Sequence, residues 1–239
     1  LLIAAQCVAA EAGALYGAAA LDLPRRGVNV PRGGMGGLAW TLAQWIRARG
    51  GELRFKHRAE GLELAGGRVR AVLCQAGRRG PRRRRRDGVV ANLTPWSLGR
   101  LLDRDAPAGL RRELAALRPT WGAVMLHLGL DAAALPPDLA EHLQVVADLD
   151  RPLGEGNSVF LSLSPAADPD RAPPGQRAAT LSTHSRIAPW WRLRALGDGG
   201  EAYARAKEVS AEAMLSTAER ALPGLRGAIR LAITATPVT

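Results

Sequence analysis

Residues 50–73 read GGELRFKHRAEGLELAGGRVRAVL, and the fold turns on this stretch. Leu53, Phe55, His57 and Ala59 alternate with charged neighbours, and Leu62 and Leu64 face Val69, Ala71 and Leu73 across Ala65-Gly66-Gly67-Arg68. A period of two on both sides of a glycine pair predicts a β-hairpin. On the amino-terminal side, Leu38, Leu42, Trp45 and Ile46 recur at i, i+4, i+7 and i+8, which predicts an amphipathic helix over Gly36–Arg49 ended by Gly50-Gly51. On the other side, Arg78, Arg79 and Arg82–Arg86 read as a solvated loop, because blocks of like charge repel. Val89–Leu93 follows without alternation and is expected to be a strand buried on both faces. Thr94 and Pro95 fit an N-cap and first helical position.

Further along, Leu110, Leu114 and Leu117 predict a second helix over Pro107–Arg118. Trp121–Leu130, Leu143–Ala147, Ser158–Ser164 and Ala178–His184 read as four strands with little helix-length sequence between them, which favours a mixed or antiparallel sheet. Tyr203, Ala206, Val209 and Ala213 share one face of a long helix over about Glu201–Leu222, and a strand over Ala228–Thr234 follows Pro223-Gly224. The fold class is therefore α/β in the broad sense, helices with mixed sheet.

Composition excludes several classes. In 239 residues, 47% hydrophobic and 23% charged content is that of a globular chain rather than a disordered one, and an aromatic share of only 4% leaves the core to alanine and the aliphatics. Two cysteines cannot build a disulfide framework, and with four scattered histidines they supply no zinc pattern, so no metal site is expected and a reducing, cytoplasmic setting is. Seven arginines between Gly77 and Asp87 account for all but four of the eleven net positive charges. Leu1–Leu21 is apolar enough to invite a membrane span, but Glu11 at its middle and its Ala/Gly content favour soluble helices instead. Because it opens on Leu1 rather than Met and stops at Thr239 without a closing element, the chain reads as part of a longer protein.

Three constellations invite chemistry. Gly34-x-Gly36-x-x-Ala39 is a nominal dinucleotide fingerprint, yet the segment before it is too polar and proline-broken for the required strand, so it reads as a tight turn seating a helix. Tyr203 and Lys207 have the i, i+4 spacing of a dehydrogenase acid pair, which any amphipathic helix produces by chance, so a packed tyrosine and a solvated lysine are expected. His57, His127 and His184 each fall in an expected strand with no serine or cysteine nucleophile nearby. The arginine run could serve a basic module for anionic membrane or nucleic acid, but no aromatic residue interleaves it as base stacking requires.

The order of segments resembles the phytoene dehydrogenase and carotenoid isomerase-like branch of the flavin-dependent amine oxidase superfamily. The residues that carry the resemblance are 14–27 (ALYGAAALDLPRRG) with 31–35 (PRGGM), 50–54 (GGELR) leading to Ala59 and Leu62, 67–72 (GRVRAV), 203–208 (YARAKE), 219–225 (ERALPGL) and 235–239 (ATPVT).

The resemblance implies a partial FAD-binding Rossmann-like domain with a hairpin extension, and a substrate domain of mixed sheet and helices. Residues 27–93 would be the middle segment of the flavin domain, 1–26 and 94–233 the substrate domain, and 234–239 the return toward the flavin. The implied cofactor is FAD, with Gly33, Gly34, Ala59, Ala91 and Asn92 on the cofactor side and Met35, Thr236 and Pro237 at the substrate channel. Ala59 stands where the family usually has a valine whose backbone contacts the adenine end. The activity implied is desaturation or isomerisation of an extended apolar polyene, with no acid, base or nucleophile named because the cofactor carries the chemistry. The amino-terminal GxGxxG and the segment completing the flavin-ring site are not among these residues, so the chain by itself is expected to hold FAD weakly. The implied partner is an apolar small molecule, with peripheral contact to the inner face of a membrane and no specific nucleic acid. A non-catalytic relative of the same fold is the remaining alternative.

Overall fold

The computed structural model describes residues 13–15, 18, 22, 27, 29 and 31, and residues 33–239 apart from 78, 87, 119, 120, 167, 169 and 197–199. The helices expected over Leu1–Leu21 lie almost wholly outside the described residues. Contacts divide the chain into Pro31–Arg118 and a second unit of Leu1–Val30 with Pro119–Thr239.

The Pro31–Arg118 unit starts with helix α1 (Gly34–Ala48), then three antiparallel strands in the order β1 (His57–Ala65), β2 (Arg68–Ala76) and β3 (Arg79–Arg85), then helices α2 (Pro95–Leu102) and α3 (Ala108–Ala116). Between β1 and β2, Gly66 and Gly67 both have positive φ, 59° and 72°, the backbone that a two-residue hairpin turn with matching strand twist demands. Thr94 caps α2 as expected: its hydroxyl accepts the Ser97 amide at 3.3 Å, and Pro95 occupies the first turn. Helix α2 lies against β1 and α3.

Three expectations fail in this unit. The first strand does not begin at Leu53 but at His57, because Lys56 turns the chain at φ 57° and leaves Phe55 exposed. The arginine run is not a loop. It forms β3, paired with β2 from Ala71↔Arg85 to Ala76↔Arg79. Backbone pairing along the otherwise open edge of β2 supplies what the side chains do not, and Glu63 neutralises Arg83 at 2.6 Å. Finally, Val89–Leu93 forms no strand, and Val90 is 99% exposed. A strand buried on both faces needs a neighbour on each side and cover above and below, and none of the described residues provides these. The apolar stripe of α1 is similarly uncovered, with Leu38, Leu42 and Trp45 all exposed.

The second unit is built on one antiparallel sheet in the order β5-β6-β7-β4-β8. Its strands are β4 (Trp121–Asp131), β5 (His142–Val146), β6 (Ser158–Leu163), β7 (Gln176–Arg186) and β8 (Ile229–Ala235). The four strands expected between Trp121 and His184 are all present, as is the closing one. Alternation puts Val124, Leu126, Leu128 and Leu130 of β4, Val159, Leu161 and Leu163 of β6, and Ala179 and Leu181 of β7 into one buried cluster. Helices α4 (Ile187–Ala195), α5 (Glu201–Ala218) and α6 (Leu225–Ala228) complete it, contributing Trp190, Tyr203, Met214 and Leu225 to the same core.

Helix α5 stops at Ala218 rather than running on to Leu222. Arg226 of α6 joins both sides of that stop, donating to Glu212 at 2.6 and 2.8 Å and to Glu219 at 2.7 Å. Hydrogen bonds from Arg226, then from Ser216, hold the Glu212 carboxyl below its ordinary 4.5. A carboxylate whose folded pKa is depressed stabilises the fold above its unfolded pKa and loses that contribution as pH falls through the folded value. Urea midpoints measured from neutral pH down through the carboxylate range should therefore fall less steeply for Arg226→Met than for the native chain.

Candidate functional site

The polypeptide enters α1 through a bare glycine turn. Gly33 and Gly34 have φ of 75° and 65°, the Gly34 amide donates to the Pro31 carbonyl at 2.8 Å, and the Gly37 amide donates to Gly33 at 3.0 Å. The amides between, of Met35 and Gly36, belong to the set that every helix start leaves without an intrahelical partner. Met35 is 69% exposed. Gly36 has an ordinary helical φ, and a Cβ built on it would meet nothing within 4 Å. Neither conformation nor packing among the described residues asks for glycine there, so the open backbone is available for close approach by another group.

The other expected cofactor-side residues lie in the same unit. Ala59 is exposed on β1, paired with Cys74 beside a bulge at Ala59/Gly61. Ala91 and Asn92 are exposed in the irregular 88–93 segment. Gly33, Gly34 and Met35 are thus gathered in one turn, while Ala59, Ala91 and Asn92 stand at separate places on the unit's surface.

Thr236 and Pro237 belong to the second unit, in a turn that follows β8. Thr236 is buried, and its hydroxyl meets the Tyr203 hydroxyl at 2.8 Å and that of Thr239 at 3.0 Å. The Thr236 amide donates to Thr239 Oγ1 at 2.8 Å, which folds 236–239 back on itself. Pro237 closes over Gly122 of β4, where a Cβ would sit only 2.9 Å from Pro237 Cβ. For the Tyr203 phenol, burial pushes the pKa up; the hydrogen bonds with Thr236 and Thr239, with the Lys207 and Arg194 charges, outweigh it and leave the group below its ordinary value. Tyr203 is packed in the core, as the sequence suggests, and Lys207 lies beside its ring with Nζ 5.8 Å from the centroid.

The sequence reading missed what stands behind this turn. Tyr203 packs edge-on against Trp190 (centroids 6.0 Å apart, 84°), the Trp190 indole donates to Ser185 Oγ at 2.9 Å, and Ser185 donates to Glu155 at 2.9 Å. Glu155 also accepts the Arg186 amide at 2.7 Å and sits at φ 48° between Gly154 and Gly156, both with positive φ. One line of bonded and stacked side chains therefore runs from the Gly154–Gly156 loop to Thr236. The signal was present as Gly-Glu-Gly-Asn between two strands, a spacing that asks for left-handed backbone. Elsewhere His142 stacks on Phe160, and His127 stands 3.5 Å from Thr180. Among the described residues, no three His, Cys, Asp or Glu side chains converge to hold a metal ion.

The family model described as flavin containing amine oxidoreductase matches residues 2–203, a range that reaches into both units. The chain belongs to that family. FAD is the cofactor that goes with it. The chain is 30% identical over 222 residues to the chloroplastic prolycopene isomerase of Daucus carota, a match covering 89% of this chain and 34% of the relative. It is 31% identical over 229 residues to the phytoene dehydrogenase of Streptomyces griseus, covering 89% and 40%. The chain thus spans about a third of the length of the curated relatives it matches. The crystal structure of an oxidoreductase from Methanosarcina mazei overlays with a TM-score of 0.54 at 21% identity, covering 84% of this chain and 42% of that one, and so shares the fold. A free-standing basic module finds no support in these relatives.

The chemistry of the Gly33–Gly37 turn is compatible with a flavin. The Gly33–Gly37 turn offers backbone with open space above Gly36, which suits a cofactor that approaches a main chain closely. Among the described residues no helix is long and apolar enough to cross a membrane.

Proposed function

We propose that the protein is an FAD-dependent oxidoreductase that desaturates or isomerises an extended apolar polyene of the carotenoid class. The observation that carries this reading is the family match over residues 2–203, with prolycopene isomerase and phytoene dehydrogenase among the relatives. When bound, the flavin supplies two-electron redox chemistry, and the protein supplies position and water exclusion. Gly33, Gly34 and Gly36 would present main chain to the cofactor, with Ala59, Ala91 and Asn92 on its nucleotide side. Met35 in the one unit and the Thr236-Pro237 turn in the other are each, taken separately, residues that the resemblance assigns to substrate contact. Tyr203 holds Thr236 from behind and touches no substrate in this scheme. It fixes where the turn stands.

The flavin-loaded protein, incubated with cis-configured polyene hydrocarbons, should change their absorption spectra. Desaturation lengthens the conjugated system, whereas isomerisation alters the band pattern at constant length. A protein that carries flavin yet leaves every such polyene unchanged would refute the substrate class. A variant tests the glycine turn separately. Gly36→Ala should not destabilise the unit; at a first-turn position whose backbone alanine adopts without strain, it should stabilise it by roughly 0.4–1 kcal/mol. The same variant should purify with less FAD per protein, a separation of stability from binding that plain packing does not produce.

A further inference from the structure

The arginine strand presents one face of guanidinium groups for which no ion-pair partner is found among the described residues. In the β2–β3 register Val72 opposes Arg84, Cys74 opposes Arg82, and the Arg86 amide donates to the Arg70 carbonyl at 3.0 Å. Strand alternation therefore sets Arg70, Arg82, Arg84 and Arg86 on one side of the sheet. Ala71, fully buried, lies on the opposite side, where Arg83 meets Glu63 and Arg85 is exposed. On the first side Arg70, Arg82 and Arg86 are exposed and Arg84 is half-exposed, beside the half-buried Val72 and Cys74. No carboxylate occupies the β2 or β3 positions of that side. Four like charges on two neighbouring strands repel one another.

We infer that this face is a docking surface for the phosphates of an anionic lipid bilayer. Several cations on one side of a sheet complement the phosphates of a bilayer surface, and each arginine near such a surface contributes attraction that falls off within a Debye length. Single-stranded nucleic acid fits less well, because no aromatic side chain lies among these positions to stack on bases. The inference rests on the proposed substrate in one respect. An extended hydrocarbon partitions into bilayers, so an enzyme acting on it gains from standing at their surface.

The test is sedimentation of the protein, produced from its complete reading frame, with vesicles of phosphatidylcholine alone and of phosphatidylcholine containing one third phosphatidylglycerol. Binding to the anionic vesicles only, weakening as salt rises, is the expected result. The triple variant Arg82→Gln, Arg84→Gln, Arg86→Gln should bind them at least about tenfold less tightly, and the matching triple lysine variant should retain binding, since charge is what is read. Circular dichroism of each variant checks the fold, and if the glutamine variant is misfolded, the native salt titration and the lysine variant decide. Equal binding to both vesicle types, no binding to either, glutamine and native proteins binding alike, or capture of single-stranded RNA in place of vesicles would each overturn the inference. The flavin spectrum of the same preparations is an independent readout. Flavin-loaded protein that ignores vesicles refutes the surface, and colourless protein that binds them refutes the proposed chemistry.

Discussion

Leu181→Ala lowers the stability of the five-stranded unit by about 2–5 kcal/mol, the range for deleting a fully buried leucine from a core that relaxes only in part. Leu181 is the middle of that core. It stands on the central strand β7, directly opposite Leu126 on one side and Leu161 on the other, and all three side chains are at most 1% exposed. Removing it takes away contacts to both neighbours at once, and the sheet cannot close the gap without breaking register. Leu231→Ala on the edge strand β8 should cost far less, because Leu231 is already 56% exposed. Urea unfolding of the two variants side by side measures the difference. Equal losses would mean that the buried cluster does not hold the unit together.

Gly156→Val is the second large effect, and it separates two costs. The residue has φ 82°, where a β-branched side chain is strained, and its Cβ would lie 2.9 Å from the Ala213 Cβ on α5. The conformational part costs about 1–2 kcal/mol and the overpacking about 1–3, so a total of roughly 2–5 kcal/mol is expected. The carbonyl of Gly156 also accepts the Thr217 hydroxyl at 2.6 Å, and its amide donates to Thr183 at 2.9 Å, so the loop cannot move aside without losing both. Gly175→Val isolates the first cost. Gly175 has φ 74°, but a Cβ there meets nothing within 4 Å, so only the conformational share of about 1–2 kcal/mol should appear. Unfolding midpoints for both variants give the two numbers. If they agree, the close approach of α5 to the Gly154–Gly156 loop carries no weight.

Where local chemistry and tertiary packing agree, the elements are legible in the sequence. The Gly66-Gly67 turn, the Thr94-Pro95 cap and the strands from Trp121 to His184 are all formed as residue types and periodicity predict. Failures come where the environment overrides local pattern. Seven arginines within eleven residues look like loop by charge alone, yet β2 has an open edge, and backbone pairing together with the Glu63–Arg83 bond is enough to recruit them into β3. Val89–Leu93 looks like buried strand by composition, but burial requires partners, and among the described residues none covers it. The apolar stripe of α1 is correct as a helix signal and is likewise uncovered. For the candidate site, the glycine turn at 33–37 and the Thr236-Pro237 turn are legible as motifs. The line from Glu155 through Ser185, Trp190 and Tyr203 to Thr236 is not, since it joins residues from four separated stretches that only the fold brings together.

Membership of the flavin containing amine oxidoreductase family makes FAD the cofactor of the protein to which this chain belongs. The most direct test of this is the visible absorption spectrum of the protein, produced from the complete reading frame with riboflavin supplied, and of the supernatant released from it by heat. Flavin bands in the folded protein, recovered in the supernatant as FAD, are the predicted result. A folded protein of full length that is colourless under these conditions, and releases no FAD, would contradict it.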